Sequence, residues 1–272
     1  NNIFANIKDA VRRVQALYGI TRVANFGPTA LKAVREQMIK SRLSRRVING
    51  RVNRIRRMLK WGVENELVPA GVLQSLQAVA ALRSGRSEAR ETDPVRPVPE
   101  ATVAATLPHV TPQVRAMIEL QQLSGMRPNE VAAMRPIDIE RSGPTWVYRP
   151  ASHKTEHHGL ERAIYLGPKA QAIVRPFLDR PPESYLFSPK EAAERVRERL
   201  RKPGSRAKKR RPHPRRAAGD RYTRRSYYRA IARACEKAGI DVWGPNRLRH
   251  SAATNLRKQF GIEAARVVLG HR

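Results

Sequence analysis

The sequence is poor in the residues that build several common kinds of site. A single cysteine, Cys235, excludes an internal disulfide framework and a multi-cysteine zinc site. Aromatic residues make up only 6% of the chain, which argues against large aromatic stacking platforms. No apolar run approaches the ~18–20 residues of a membrane-spanning helix, and the first residues lack the apolar core of a signal peptide. We therefore expect a soluble, intracellular protein with no membrane partner.

Acidic residues are scarce relative to basic ones. The 272 residues include 54 Lys and Arg against 23 Asp and Glu, a formal net charge of +31. Such an excess favours a polyanionic partner, because basic side chains that bind phosphates release condensed counterions. The basic residues are spread over both halves of the chain, which favours nucleic acid over a membrane surface. The length itself predicts about two domains, at roughly 100–200 residues each.

Residues 1–88 are predicted to form a helical domain. Apolar residues recur every three or four positions in 3–17, 28–39 and 44–66, and a short fourth helix is predicted at 70–82. The third helix combines an apolar stripe with a dense basic face. The side chains of that face assigned to DNA contact are Arg45, Arg46, Arg54, Arg57 and Lys60. A basic face that is merely solvated explains the same pattern equally well.

A proline-rich segment at 89–99, with few apolar residues, predicts a linker. The remainder, 100–272, predicts helices together with two strands, Trp146–Arg149 and Arg162–Leu166, joined by a polar hairpin. The predicted fold class is therefore mostly α with a small β-sheet, in the α+β class.

A basic insert of low complexity occupies about 195–220. Lysine and arginine fill most of Arg206–Arg216, where two prolines interrupt them. Such a segment cannot bury an apolar core. It is either a solvated surface loop or a segment that binds DNA phosphates without regard to base sequence, and both interpretations stay open.

Two short patterns in the second domain place basic side chains beside a possible phosphate. Arg127 lies where one helix ends at Gly125 and the next begins, next to unpaired backbone N–H groups. Lys154 lies in the hairpin between the strands, from which an ammonium group can reach a substrate as a proton donor. Each pattern alone is also typical of an ordinary surface residue.

A third pattern lies further along the chain. Arg249 and His250 begin the last long helix, and His271 follows a glycine that ends a helix. Two arginines, a lysine and histidines meet the needs of phosphoryl transfer, because they neutralise the pentavalent phosphorus and move the protons. No Asp/Glu cluster offers a divalent-metal site, and the adjacent His157 and His158 lack the spacing of a zinc helix. No metal or cofactor is expected.

The ordered set Gly125-Met126-Arg127…Glu130, Lys154, Arg249-His250 and Leu269-Gly270-His271 resembles the tyrosine recombinases, the phage integrase family. The resemblance implies a helical core-binding domain of the SAM-like type at 1–88. It further implies a mixed α/β catalytic domain of the DNA breaking-rejoining type at 100–272.

The resemblance also implies a role for each matching residue. Arg127 and Arg249 would clamp the scissile phosphate, with Glu130 supporting the first of them. Lys154 would protonate the departing 5′ oxygen, and His271 would donate a hydrogen bond to the phosphate. In the family a tyrosine attacks this phosphate and forms a 3′-phosphotyrosyl link, which conserves the bond energy for rejoining without ATP or metal.

The sequence departs from the family pattern in two places. Asn246 stands three residues before Arg249, where the pattern has histidine, and an amide has no titratable proton to exchange. The sequence leaves open whether His250 takes part instead. The resemblance also places the nucleophilic tyrosine beyond Arg272, and none of the seven tyrosines present fits its position. The chain as given is expected to bind DNA and to lack strand-cleaving activity.

Double-stranded DNA is the partner that the resemblance implies, in a cytoplasmic, DNA-associated protein. Full-length members act as homotetramers on DNA, whereas this chain alone is expected to be a monomer that assembles weakly on DNA. A site-specific recombinase and a non-catalytic DNA-binding protein derived from an integrase both remain open. A generic RNA-binding protein is a further alternative, but it explains neither the paired arginines nor the hairpin lysine.

Overall fold

The computed structural model of the protein describes residues 3–152, 161–200 and 218–270, the last two residues of the middle range by main chain only. The chain divides into two compact units, Asn1–Pro94 and Val95–Arg272. No helix in the described ranges is both long enough and apolar enough to cross a membrane.

Four α-helices form the described part of the first unit, residues 3–94. They are α1 (Ile3–Tyr18), α2 (Pro28–Lys40), α3 (Arg45–Glu64) and α4 (Ala70–Gln77). Proline at the first position of α2 is favourable, because its missing N–H would have no helical partner there. The apolar faces meet in one core, at whose centre Leu31, Val34, Met38, Ile48 and Ile55 are fully buried. The helices predicted from apolar spacing in 3–17, 28–39 and 44–66 are thus confirmed.

The fourth helix is shorter than the sequence predicts. It ends at Gln77, and the following residues run in a non-helical path to Leu82. Asn49 receives a hydrogen bond from the Leu82 N–H and donates one to its carbonyl oxygen, each at 3.0 Å. Arg35 and Arg56 donate to the carbonyl oxygens of 79–80. Side chains of α2 and α3 satisfy this main chain in place of a helical turn.

The segment at 89–99 is anchored at both ends. Its early part is held by Arg45, whose Nε lies 2.6 Å from the Glu91 carboxylate. Its later part is held within the second unit by Arg247, which donates to the carbonyl oxygens of 96–97 at 2.8 and 2.9 Å. These contacts attach the segment near both of its ends.

The second unit combines helices with a small sheet. Its helices are α5 (Glu100–Thr106), α6 (Pro112–Ser124), α7 (Pro128–Ala132), α8 (Pro168–Val174), α9 (Pro189–Leu200), α10 (Arg224–Ala238) and α11 (Asn246–Leu269). Its strands are β1 (Ile139–Glu140), β2 (Trp146–Tyr148) and β3 (Ile164–Leu166). The strands form an antiparallel sheet in the order β1-β2-β3, with Trp146 opposite Leu166. The predicted class, mostly helical with a small sheet, is confirmed.

Helix α6 lies at the centre of this unit. Buried residues occur on most of its faces, from Gln113 to Ser124, as in a helix that is surrounded by others. Around it the core includes Tyr148, Tyr227 and Trp243, all fully buried. The central position of α6 matters for the site, because its C-terminal end carries Gly125 and the turn to α7.

Three elements were not predicted: α5, β1 and α9. Strand β1 has two residues and shows no alternation that a sequence could reveal. Helix α9 continues to Leu200, so the first residues of the predicted insert at 195–220 are helical. Glutamates at 191, 194 and 198 are interspersed there with arginines, a charge pattern that supports a helix. The rest of the insert through 217 lies outside the described residues.

Candidate functional site

The turn between α6 and α7 holds Arg127. Helix α6 ends at Gly125, whose φ of 62° is the left-handed conformation that suits glycine. Arg127 then occupies the N-cap of α7, and the Glu130 carboxylate reaches back to it. That carboxylate accepts from the Arg127 main-chain N–H at 2.6 Å and from its Nη1 at 2.7 Å. Glu130 is buried, while 23% of the Arg127 side chain stays exposed. The guanidinium is therefore held rigidly and still accessible.

Two buried side chains support this turn from the core. The Tyr148 hydroxyl on β2 donates to the Glu130 main-chain carbonyl at 2.8 Å, and burial raises the pKa of this phenol. The Gln121 amide on α6 donates to the Met126 carbonyl, also at 2.8 Å. Both contacts are made away from solvent, so they fix the turn against the sheet and against α6.

Arg249 joins the ends of two helices. From the first turn of α11, its Nη1 donates to the Gly125 carbonyl at 2.8 Å and its Nη2 to the Leu269 carbonyl at 2.7 Å. These carbonyls lie at the C-terminal ends of α6 and α11, where helix dipoles favour a cation. Arg249 is 7% exposed. Burial, and secondly the charge of Arg127, lower the pKa of Arg249 to about 10.

Arg162 is a third arginine of the site, and the sequence patterns did not identify it. Its side chain is 5% exposed, its Nε lies 3.7 Å from Glu130 Oε1, and its Nη1 donates to the Val268 carbonyl at 3.2 Å. Burial lowers the pKa of Arg162, and the nearby charge of Arg127 lowers it further, against the opposite effect of Glu130. The signal that could have identified it is the alternation of buried and exposed residues in an extended segment. Positions 162, 164 and 166 all face inward, and a buried arginine at the first of them is unusual.

The site is thus an excess of positive charge around one carboxylate. Arg127, Arg162 and Arg249 are coupled to Glu130 electrostatically, which leaves a formal charge of 3 − 1 = +2. Such a cluster, partly withdrawn from water, attracts an anion strongly, because a low dielectric medium screens charge weakly. Guanidinium groups bind phosphate oxygens through paired donors. Within the described ranges, no group of three or more His, Cys, Asp or Glu side chains is arranged to hold a metal ion.

The other predicted site residues have different placements. Asn246 and His250 are exposed one helical turn apart on α11, with Asn246 Nδ2 and His250 Nε2 separated by 3.5 Å. Lys154, together with His157 and His158, lies outside the described residues, and so does His271. Gly270, just before His271, is described: a Cβ built on it would lie 2.6 Å from Arg162 Nη1.

A comparison with protein-family models identifies the family of the chain. The model described as "Phage integrase family" matches residues 106–272, more than half of the chain and all of the arginine site. The chain belongs to the phage integrase family of tyrosine recombinases. A search of curated proteins gives no match.

Solved structures of integrases share this fold. A lambda integrase dimer bound to a COC′ core site is 12% identical, with a TM-score of 0.68 over 100% of this chain and 69% of that chain. The Tn1549 transposon integrase in complex with circular intermediate DNA is 14% identical, with a TM-score of 0.63 over 100% and 86%. A lambda integrase tetramer bound to a Holliday junction is 12% identical, with a TM-score of 0.67 over 100% and 72%. At these identities the likeness shows the fold.

The residues predicted to contact DNA lie along α3. Arg46, Arg57 and Lys60 are exposed, and Lys60 lies 3.4 Å from Glu64 in an exposed pair of the same helix. Arg54 is half-buried, and Arg45 is engaged with Glu91.

Two further arginines of α3 point toward other parts of the first unit, away from solvent. Arg51 pairs with Asp9 on α1, and Arg56 donates to the Val79 carbonyl. Burial lowers the pKa of Arg56. These two guanidinium groups therefore serve the packing of the helices, and neither was among the residues assigned to DNA contact.

Proposed function

We propose that the protein to which these residues belong cuts and rejoins duplex DNA at a specific site through a 3′-phosphotyrosyl intermediate, and that the attacking tyrosine is not among the seven in residues 1–272. The observation that carries the proposal is a cluster of three arginines in a chain of the phage integrase family. Arg127 and Arg162 lie 2.7 and 3.7 Å from the Glu130 carboxylate, and Arg249 donates to the Gly125 carbonyl in the adjoining turn. It supports a site for one phosphate of the DNA backbone.

The charge of the site suits the reaction. A phosphodiester carries one negative charge, and attack by a phenolate oxygen gives a pentavalent phosphorane with about two. A site of net charge +2 stabilises that state more than the ground state, which is the requirement for catalysis. The P–O5′ bond breaks as the P–O bond to tyrosine forms. By resemblance, Lys154 gives the departing 5′ oxygen its proton and His271 donates a hydrogen bond to the phosphate.

Three of the seven tyrosines lie buried in the core of the second unit. Tyr148 and Tyr227 are fully buried, and burial raises the pKa of both phenols, which makes them poor nucleophiles. Tyr222 is also buried, and burial raises its pKa as well. Tyr165 and Tyr228 are exposed on β3 and α10. This supports an attacking tyrosine supplied from outside residues 1–272.

We further propose double-stranded DNA as the partner of both units. The arginine site would hold the scissile phosphate, while the exposed basic residues of α3 would contact the backbone. With the tyrosine present, the protein would assemble as a tetramer on DNA, as in the solved lambda integrase tetramer on a Holliday junction. Residues 1–272 alone would be monomeric away from DNA, and light scattering that finds a stable tetramer would contradict this.

The deciding experiment uses a suicide DNA duplex that traps the covalent intermediate. The present chain and a version extended through the genomic reading frame are each incubated with it, denatured, and resolved for a protein–DNA adduct. An adduct with the extended chain alone supports the proposal. Arg127→Ala and Arg249→Ala in the extended chain should abolish the adduct while weakening duplex binding only modestly. Equal loss of both properties would argue against a catalytic role for the arginines.

A second candidate is a non-catalytic DNA-binding protein derived from an integrase. Asn246 favours it, because this exposed amide occupies the position of a family histidine and cannot exchange a proton. Duplex binding without any adduct from either chain would select this candidate.

A further inference from the structure

We propose that Arg162 is a positioning residue of the phosphate site, which shares Glu130 with Arg127 and holds the end of α11 against the site. The inference rests on the proposed function, because it concerns the same phosphate. It adds a residue from the segment that leads into β3 to the two arginines that the motifs supply.

The first step is at the carboxylate. One oxygen, Glu130 Oε1, accepts from Arg127 Nη1 at 2.7 Å and lies 3.7 Å from Arg162 Nε. Because the same oxygen serves two cations, it neutralises neither of them fully. Without Arg162, Glu130 would compensate Arg127 alone, and the formal charge of the cluster would fall from +2 to +1. A phosphate bound by Arg127 would then meet a weaker field.

The second step is at the end of α11. Arg162 Nη1 donates to the Val268 carbonyl at 3.2 Å, while Arg249 Nη2 binds the adjacent Leu269 carbonyl at 2.7 Å. Gly270 follows with a φ of 63°, and a Cβ on it would lie 2.6 Å from Arg162 Nη1. Glycine is thus required here both for its conformation and for the close approach of the guanidinium. Arg162 and Arg249 together determine where the chain leaves α11.

The third step is the energetic cost of Arg162. Its Nε and Nη2 are buried and have no hydrogen-bond partner in the described part of the chain. Removing water from a guanidinium without new hydrogen bonds in its place costs free energy. A protein with an apolar residue at such a position is therefore often as stable as one with the arginine, or more stable. The lowered pKa of Arg162 points the same way. A bound anion would offset this cost, which accounts for a charge that folding alone does not need.

The test measures stabilisation by inorganic phosphate. The full chain is unfolded thermally in phosphate and in chloride at equal ionic strength, and the rise in Tm is compared among variants. Arg162→Met should remove most of the rise, corresponding to about tenfold weaker phosphate binding for the loss of one nearby charge. Arg162→Lys should keep part of it, because a lysine retains the charge but cannot reach Glu130 and Val268 together.

Arg180→Met is the matched control. Arg180 is also well buried, bonds to the carbonyls of Phe177 and Tyr185 at 2.6 Å, and pairs with Glu191 at 3.2 Å. Its loss should lower Tm in both salts and leave the phosphate-dependent rise unchanged. If the role of Arg162 were only structural, Arg162→Met would also lower Tm in both salts and leave the phosphate-dependent rise unchanged.

The outcomes separate this inference from the function on which it rests. A rise that disappears in Arg127→Ala but persists at wild-type size in Arg162→Met overturns the role of Arg162 alone. A rise that persists in Arg127→Ala, Arg249→Ala and Arg162→Met overturns the phosphate site itself. If Arg162→Met fails to fold in chloride, Arg162→Lys decides: a reduced rise supports the proposal, and a full one overturns it.

Discussion

Arg249 donates a 2.8 Å hydrogen bond to the carbonyl oxygen of Gly125, the residue that ends α6. The bond joins two segments that are 124 residues apart in the chain. One carries Arg127 and Glu130, and the other begins α11. The two arginines of the motifs are therefore parts of one packed structure, in which the helix ends hold the guanidinium groups in place.

The packing around Gly125 gives a first prediction. A Cβ at Gly125 would lie 2.4 Å from Leu269 Cδ2, whereas a Cβ at Gly239, which also ends a helix with positive φ, would meet nothing within 4 Å. Gly239→Ala should lose about 1 kcal/mol of unfolding free energy through backbone strain alone. Gly125→Ala should lose roughly 2–4 kcal/mol, because overpacking is added to the strain. Chemical denaturation of both variants measures the difference, and equal losses would contradict the packing argument.

Glu130 gives a second prediction. It is the carboxylate shared by the arginines, so Glu130→Gln leaves their charges uncompensated in a buried place. We expect a loss of about 3–5 kcal/mol in unfolding free energy, with part of it restored by inorganic phosphate. Asp138→Asn is the control, since Asp138 pairs with Arg135 at 2.7 Å outside the site. It should lose stability without any restoration by phosphate, and restoration of both variants alike would argue against an anion site at Glu130.

The sequence alone predicted the local parts of this site but not its assembly. The family resemblance implied that Glu130 supports Arg127, and in the structure the two pair at the start of α7. The contact of Arg249 with Gly125 depends on how α11 packs on α6, which no local pattern encodes. Arg162 was missed because it is one of 54 basic residues, and its place on the inward side of the segment leading into β3 shows only once the alternation of 162, 164 and 166 is considered. The structure does not test the roles of Lys154 and His271.

The end of the fourth helix was predicted wrongly for a similar reason. The helix predicted at 70–82 ends at Gln77, although Ala78, Ala80 and Ala81 beyond that point are good helix formers. Asn49 and Arg35 bind the main chain beyond that point, and these partners come from other helices. Tertiary hydrogen bonds outweigh local propensity wherever they satisfy the backbone equally well.

The basic face of α3 gives a third prediction. Arg57 is exposed, whereas Arg51 on the same helix pairs with Asp9. Arg57→Ala should weaken duplex binding and lower the salt slope by about one unit while leaving Tm unchanged. Arg51→Ala should lower Tm and leave the salt slope unchanged. Binding titrations at several salt concentrations distinguish the two, and a merely solvated face would make both variants bind like wild type.

The basic insert gives a fourth prediction, from sequence alone. Residues 203–216 include seven lysines and arginines, and deleting them should weaken binding to every duplex alike. If all seven contact phosphates, the salt slope should fall by up to about six units. Titrations with one specific and one unrelated duplex measure both effects. A loss confined to the specific duplex would mean that the insert reads bases.

Asn246 gives the last prediction. It is exposed on the first turn of α11, 3.5 Å from His250, and Asn246→His would place a titratable imidazole at the position where the family has one. In a version that carries the attacking tyrosine, we expect formation of the covalent adduct to accelerate by about tenfold or more, at the low end of general acid–base effects, with duplex affinity unchanged.

His250 is tested in the same background. If His250 takes over the proton transfer, His250→Ala should form the adduct more slowly, and adding Asn246→His should then restore the rate. Single-turnover adduct formation measures these rates. An unchanged rate in Asn246→His, together with full activity in His250→Ala, would show that neither position moves a proton in the slow step.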